Sequence, residues 1–324
     1  MLKYLVVLLD DTSTSYCHHP NEKAIPHLIG LNDLKKGMVF AMKEDLIPQC
    51  VFPSFELPSE YKEVLKSVNH TTIVPANCQD PYLLSQADVT VVNCWDELSK
   101  MVIRSQCYVL RSTKYDLFSR YEELYEPLGK ALRINIVITD MSLFDDEDFK
   151  IYEDILDKIG HKVESLFLKG KSVQLNVLTD RILLTEMNNC NAGSENITLA
   201  PDGKFYVCPA FYQSSAHTSI EIGSGNIGSL EDGIELKNPQ LYKLSHAPLC
   251  RICDAYQCKR CVYLNKEATR EVHIPGHTQC KIAHIERNAS RKLLMRLREY
   301  GEFMPEVDIK EINYLDPFDI RIKW

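Results

Sequence analysis

The chain has 324 residues, 45% of them hydrophobic and 25% charged, values that permit a sizeable core and argue against disorder. Its formal net charge of −8 disfavours general binding of nucleic acid. Only five consecutive apolar residues, Leu5 to Leu9, precede Asp10 and Asp11, fewer than the roughly 7–15 of a signal peptide, and no stretch approaches the ~20 of a membrane span. A cytoplasmic location without membrane contact is expected, where thiols stay reduced.

Residues 1–185 alternate β-rich runs with amphipathic segments. Strands are predicted at residues 4–9, 50–52, 71–74, 89–92, 108–110, 134–139 and 175–178, and helices at 34–46, 61–68, 95–103, 115–132 and 148–168. In the last helix Ile151, Ile155, Ile159 and Val163 share one face. Strands alternating with helices predict a mostly parallel sheet covered by helices, either open or rolled into a partial (β/α) barrel. Cys50, Cys78, Cys94 and Cys107 fall at or near strand ends and read as small buried hydrophobes.

The composition shifts near Glu186, and nine of the 13 glycines lie beyond residue 160. A loop-rich module over residues 186–285 is expected, followed by a C-terminal portion, 286–324, that ends in an extended tail. Within the module two β-rich runs flank Pro201-Asp202-Gly203, a hairpin signal in which Pro suits the first corner and Gly tolerates positive φ. Residues 281–300 read as a basic amphipathic helix with Ile282, Ile285, Leu293, Leu294 and Leu297 on its apolar side. Residues 251–300 hold 11 Lys/Arg against 5 Asp/Glu. That excess reads as a solvated helix face, or as cations offsetting nearby thiolates or attracting an acidic peptide.

Seven cysteines are the strongest signal: Cys190-x17-Cys208-x41-Cys250-x2-Cys253-x4-Cys258-x2-Cys261-x18-Cys280. Thiolates this dense repel one another, which calls for cations among them. The four from Cys250 to Cys261 lie within 12 residues, closer than the two knuckles of a zinc ribbon, about 15–20 residues apart, and near iron–sulfur spacing. Zinc stays an alternative, with sites completed by His217, His246, His273 or His277. Disulfides are disfavoured by the expected compartment.

The cysteine pattern, with Gly203 separated from Cys208 by four residues, resembles the SPASM module of radical S-adenosylmethionine peptide-modifying enzymes. It departs from that module by one residue in each of two inner spacers. The resemblance implies two [4Fe–4S] clusters, the first held by Cys190, Cys208 and Cys261, the second by Cys250, Cys253, Cys258 and Cys280. Asn226-Ile227-Gly228 also fits the module. Together with the opening Tyr-Leu-Val-Val-Leu-Leu-Asp-Asp-Thr and Tyr16-Cys17-His18, it makes the whole chain similar to the CXXX repeat peptide maturases.

The first half lacks the C-x3-C-x2-C motif such enzymes carry after their first strand. Asp10 and Thr14 stand at two of its places and Cys17 at the third. Whether S-adenosylmethionine is used is left open by these residues, as is the role of Asp10, Cys17, His18 and His19, which offer a different metal or proton-transfer site or an ordinary loop. The fold expected is a degenerate partial (β/α) barrel followed by a SPASM-like module with a β-hairpin and a C-terminal helix. The function expected is maturation of a small cysteine-rich precursor peptide, with clusters that bind peptide or relay electrons. A non-catalytic scaffold or electron-relay partner of a separate maturase and a zinc-stabilised interaction protein are the alternatives.

Overall fold

A computed structural model describes residues 2–214 and 224–319; His217 and the last five residues of the expected tail lie outside the described residues. The first stretch runs β1 (Tyr4–Leu8), α1 (Leu31–Lys43), β2 (Ile47–Val51), α2 (Ser59–Lys66), β3 (Thr71–Pro75), α3 (Pro81–Gln86), β4 (Val89–Val92) and α4 (Trp95–Lys100). Next come β5 (Cys107–Ser112), α5 (Lys114–Arg120), β6 (Arg133–Ile138), α6 (Asp146–Leu168) and α7 (Asp180–Leu183). The remainder holds β7 (Asn196–Leu199), β8 (Lys204–Tyr206), α8 (Pro209–Gln213), β9 (Asn226–Ser229), β10 (Gly233–Ile234), α9 (Val262–Thr269) and α10 (His277–Arg298).

The mixed α/β architecture matches expectation. The chain divides into two compact units, each assembled from separate stretches. The first comprises Met1–Asn93, Asn191–Arg251 and Cys261–Ile274; the second comprises Cys94–Cys190, Ile252–Arg260 and Pro275–Trp324.

In the first unit the strands run in the order β10-β9-β8-β7-β1-β2-β3-β4. β1 is central and pairs in parallel with β2 on one side and β7 on the other. Leu5, Val6, Val7 and Leu8 are all buried, as a continuous apolar run in a doubly covered parallel strand requires. The expected hairpin forms, with β7 antiparallel to β8. Gly203 N–H closes the turn onto the Ala200 carbonyl at 3.0 Å, with Gly203 at φ +75°. β9 and β10 extend the antiparallel edge. Gly228, at φ +132°, faces β10 so closely that a Cβ would sit 1.9 Å from the Gly233 carbonyl oxygen, so only glycine fits there.

In the second unit β5 and β6 pair in parallel, and α6 packs on α10. An Asp145 capping box starts α6. Ile155, Ile159 and Val163 are buried as expected, whereas Ile151 is 38% exposed. Tyr152 and Leu156 fill the core in its place, shifting the buried stripe by a residue. All five predicted apolar residues of α10 are buried.

Its cations are not a bare solvated face. Lys292 meets Glu153 at 2.7 Å, and Arg296 meets Asp157 at 2.7 Å and Glu164 at 2.9 Å, acids presented by α6.

Two predicted elements come out differently. The helix expected over 115–132 stops at Arg120 and continues as two short 3₁₀ turns, the second beginning at Pro127, whose ring cannot continue an α-helix. The strand expected at 175–178 reduces to a single bridge between Ile134 and Leu175. Asn176 then takes the place of a strand backbone. Its Oδ1 accepts from Ile136 N–H at 2.8 Å and its Nδ2 donates to the Ile136 carbonyl at 2.9 Å. With β6 satisfied by a side chain, the backbone turns into α7.

Candidate metal centre

Each unit carries part of the seven-cysteine set, and none of the chain's twelve cysteines is in a disulfide. In the first unit, Cys208 occupies the N-cap of α8 and Cys261 the N-cap of α9. These helices pack through Phe211 and Tyr263, whose rings meet edge to face at 5.1 Å, and Tyr263 donates its hydroxyl to Ser214 at 2.8 Å. Burial pushes the Tyr263 phenol up to about 12, and Cys208 lies near enough to add to the effect. Tyr242 is raised for the same two reasons. Cys208 thus sits in an aromatic surround, beside the helix that Cys261 begins. A cleft of about 590 Å³ bordered by Val207, Phe211, Tyr242, Lys266 and Val272 opens next to it.

In the second unit, residues 188–190 run along the inner cysteine segment. Asn188 N–H donates to the Tyr256 carbonyl at 3.0 Å and Cys190 N–H to that of Lys259 at 2.8 Å. Burial lowers the pKa of the Lys259 ammonium, while Asp180 and the nearby sulfurs of Cys190 and Cys258 act to raise it. Cys253 and Cys258 are each followed by a tight turn. The Cys253 sulfur accepts from Ala255 N–H at 3.5 Å and the Cys258 sulfur from Arg260 N–H at 3.5 Å. Backbone N–H donors directed at sulfur favour thiolate, the form that binds metal, although burial raises the Cys253 thiol on balance.

Asp254, next to Cys253, is clamped. Arg287 donates from Nε and Nη2 to its two oxygens at 2.6 Å each, and Arg181 reaches the second oxygen at 3.3 Å. Burial alone would raise this carboxyl, but the two guanidinium groups hold it below the usual carboxylate range.

One residue of this neighbourhood escaped the sequence reading. His284 lies on α10 one turn beyond Cys280, is buried, and places Nε2 3.5 Å from the Cys253 sulfur. Burial and the adjacent Arg287 charge hold it below the ordinary imidazole pKa. The signal that would have found it is the i, i+4 spacing from Cys280 on a helix.

Of the described histidines considered as zinc ligands, His277 pairs with Asp316 at 2.8 Å and stacks on Phe318, His246 Nδ1 lies 3.1 Å from Ser245 Oγ, and His273 Nδ1 lies 3.8 Å from Glu271 without a hydrogen-bond partner. Among the described residues no group of three or more His, Cys, Asp or Glu side chains is gathered so that it could hold a metal ion. The chemistry of the seven thiols, with amide donors on two of them, fits thiolate-bound iron.

Of the three places of the C-x3-C-x2-C motif in the loop after β1, only that of Cys17 holds a thiol. Asp10 Oδ1 accepts from the Thr12 amide at 2.7 Å and hydroxyl at 2.5 Å, while its buried Oδ2 has no hydrogen-bond partner. Thr14 N–H donates to the Phe52 carbonyl at 3.2 Å. Tyr212 donates its hydroxyl to Asp11, and Gln213 Nε2 donates to the Ser13 carbonyl at 2.9 Å, so α8 ties this loop down. Cys17 is half-buried, and His19 packs edge-on against Tyr263 at 4.7 Å. Of the four scattered cysteines Cys50 alone is fully buried, and burial pushes its thiol far up. Cys94 is exposed at the N-cap of α4, and Cys78 and Cys107 are half-buried, so the small-hydrophobe reading holds for Cys50 only.

The chain matches no family model and no curated protein. Solved structures do match. One of anSMEcpe with bound AdoMet superposes with a TM-score of 0.60 at 12% identity, covering 93% of this chain and 100% of that one. A second, of anSMEcpe with bound AdoMet and Cp18Cys peptide, has a TM-score of 0.58 at 11% identity, covering 92% and 99%. A third, with bound AdoMet and Kp18Cys peptide, has a TM-score of 0.55 at 13% identity, covering 91% and 99%. The fold is shared with anSMEcpe. No helix among the described residues is long and apolar enough to cross a membrane.

Proposed function

We propose that this chain is a cytoplasmic iron–sulfur protein of the radical S-adenosylmethionine/SPASM kind that takes part in maturing a cysteine-rich, ribosomally made peptide. The supporting observation is a fold shared along nearly the whole of both chains with anSMEcpe, whose structures hold AdoMet and peptide. It is joined here to the seven-cysteine pattern. In this reading residues 1–185 form a degenerate partial barrel, 186–285 a SPASM-like module, and 286–324 the C-terminal helix and tail. Cys190, Cys208 and Cys261 would hold one [4Fe–4S] cluster, and Cys250, Cys253, Cys258 and Cys280 a second. Such clusters supply electron transfer and, where an iron is open, a site for a substrate thiolate. The chain's own part is to present thiolates steadied by the Ala255 and Arg260 amides and to offer the cleft beside Cys208 to a peptide.

The test has two stages. After anaerobic reconstitution, iron and acid-labile sulfide should reach about eight each per chain, and Cys258→Ala should lose one cluster. Colourless, iron-free protein after full supply of both would end this reading. Reconstituted protein is then incubated with S-adenosylmethionine, a reductant and a cysteine-repeat peptide. A peptide mass change with release of 5′-deoxyadenosine supports a maturase.

A second reading is favoured by the first loop, where Asp10 and Thr14 replace thiolates and Tyr212 and Gln213 close the segment. In it the chain is an electron relay or peptide scaffold for a separate enzyme. A mass change that appears only when that enzyme is added selects it.

A further inference from the structure

The seven cysteines alone do not explain why His284 is buried. It is 4% exposed on α10, its Nε2 lies 3.5 Å from the Cys253 sulfur, and its ring stands edge-on to Tyr314 at 5.6 Å. Cys280 precedes it by one helical turn, so both point along the same stripe of α10. Cys253 is positioned from its other side as well, by the Ala255 amide on its sulfur and the Arg287–Asp254–Arg181 clamp on its neighbour. All these groups belong to the second unit.

A thiolate is an acceptor only, so an imidazole nitrogen at this distance serves it best as a donor. Hydrogen bonds to cluster-bound sulfur stabilise the extra negative charge that arrives on reduction, and thereby raise the midpoint potential.

We propose that His284 is a positioning residue of the second cluster, donating Nε2–H to the Cys253 sulfur and making that cluster easier to reduce. The inference rests on the iron–sulfur reading above and adds a residue that the cysteine pattern does not contain.

The test compares His284→Phe, which keeps a ring against Tyr314 and loses the donor, with His284→Gln, which keeps an N–H. Wild type and both variants are reconstituted anaerobically. Iron and sulfide are counted, and each cluster is titrated potentiometrically with electron paramagnetic resonance detection. Expected is unchanged iron in all three, with one of two midpoints in His284→Phe moved negative by about 59 mV, a tenfold loss in the one-electron equilibrium. The other midpoint should stay, and His284→Gln should recover part of the shift.

Iron-loaded proteins with identical midpoints would overturn the role of His284 while leaving the clusters standing. Loss of half the iron in both variants, with strong nitrogen hyperfine coupling in the wild type, would make His284 a ligand and equally overturn it. A wild-type chain that takes up no iron would remove the cluster reading, and this inference with it.

Discussion

Asp254→Ala tests whether the clamp beside Cys253 is a structural device or a surface ornament. Arg287 is 1% exposed and Arg181 3% exposed, and both spend their charge on Asp254. Truncation leaves Arg287 with its contact to Asn288 at 3.1 Å, and Arg181 with the Asp308 carbonyl at 3.4 Å and the face of Tyr256. Removing one partner of a buried pair costs about 3–5 kcal/mol. The Asp254 side chain is itself 36% exposed, so water can reach the vacated site, and screening lowers the expectation to about 2–3 kcal/mol. For a unit of this size that is a fall of roughly 5–10 °C in Tm. Anaerobic urea unfolding followed by circular dichroism should show a lower midpoint at unchanged slope. The double variant Asp254→Ala/Arg287→Met, which withdraws the stranded charge, should return to within about 1 kcal/mol of wild type. A single variant within about 0.5 kcal/mol of wild type, or a double variant no better than the single, would refute the argument.

The same carboxyl gives a pH prediction. Its pKa is depressed on folding, so the stability it contributes is present above the unfolded carboxylate pKa and lost as pH falls through the folded value. Asp254→Ala should therefore flatten the acid limb of a stability–pH profile. Glu286 has the opposite sign. Burial pushes it up to about 7, although the Tyr152 hydroxyl and the Gln257 amide pull the other way. Folded protein keeps a proton that the unfolded chain has released from about pH 4.5 upward, so this stability is full below 4.5 and is lost as pH rises through about 7. Glu286→Gln should remove that slope in the same titration, and a slope unchanged by the variant would refute the assignment. Asn176→Ala strands an N–H and a carbonyl of Ile136 within the core and should cost about 2–4 kcal/mol by urea unfolding. A loss under about 1 kcal/mol would mean water or another group repairs β6.

Asn176 also shows where sequence reading of the fold reaches its limit. Strands such as β1 and β4 were legible because nearly all their residues are apolar or β-branched, as a buried parallel strand requires. The hairpin was legible because Pro201 restricts φ at the turn and Gly203 tolerates the positive φ the turn needs. Residues 175–178 carry the same apolar signal, yet the deciding group is one amide side chain that matches the Ile136 backbone in three dimensions. Periodicity carries no record of that. What the pattern likewise could not say is that β7, beyond residue 185, pairs in parallel with β1, because a partner 192 residues away leaves no local trace.

The candidate centre divides in the same way. Thiol spacing is covalent information, and it selects a class of metal chemistry without any coordinates. The outer groups are not covalent neighbours of what they serve: His284 lies 31 residues from Cys253, and Arg181 lies 73 from Asp254. The basic excess over residues 251–300 illustrates the consequence. Read as a run it is one undivided field of charge. In the structure Arg296 and Lys292 are spent on acids of α6, and Arg287 on Asp254. Part of that excess is thus neutralised by neighbouring acids. In the proposed reading, recognition of a peptide by this part of the chain would lean on sulfur, aromatic rings and shape more than on a long-range field. Raising the salt from 0.05 to 0.5 M should therefore leave the affinity for a cysteine-repeat peptide within about threefold, since screening acts on exposed and unpaired charge. A tenfold or greater loss would put free cations back into the recognition surface.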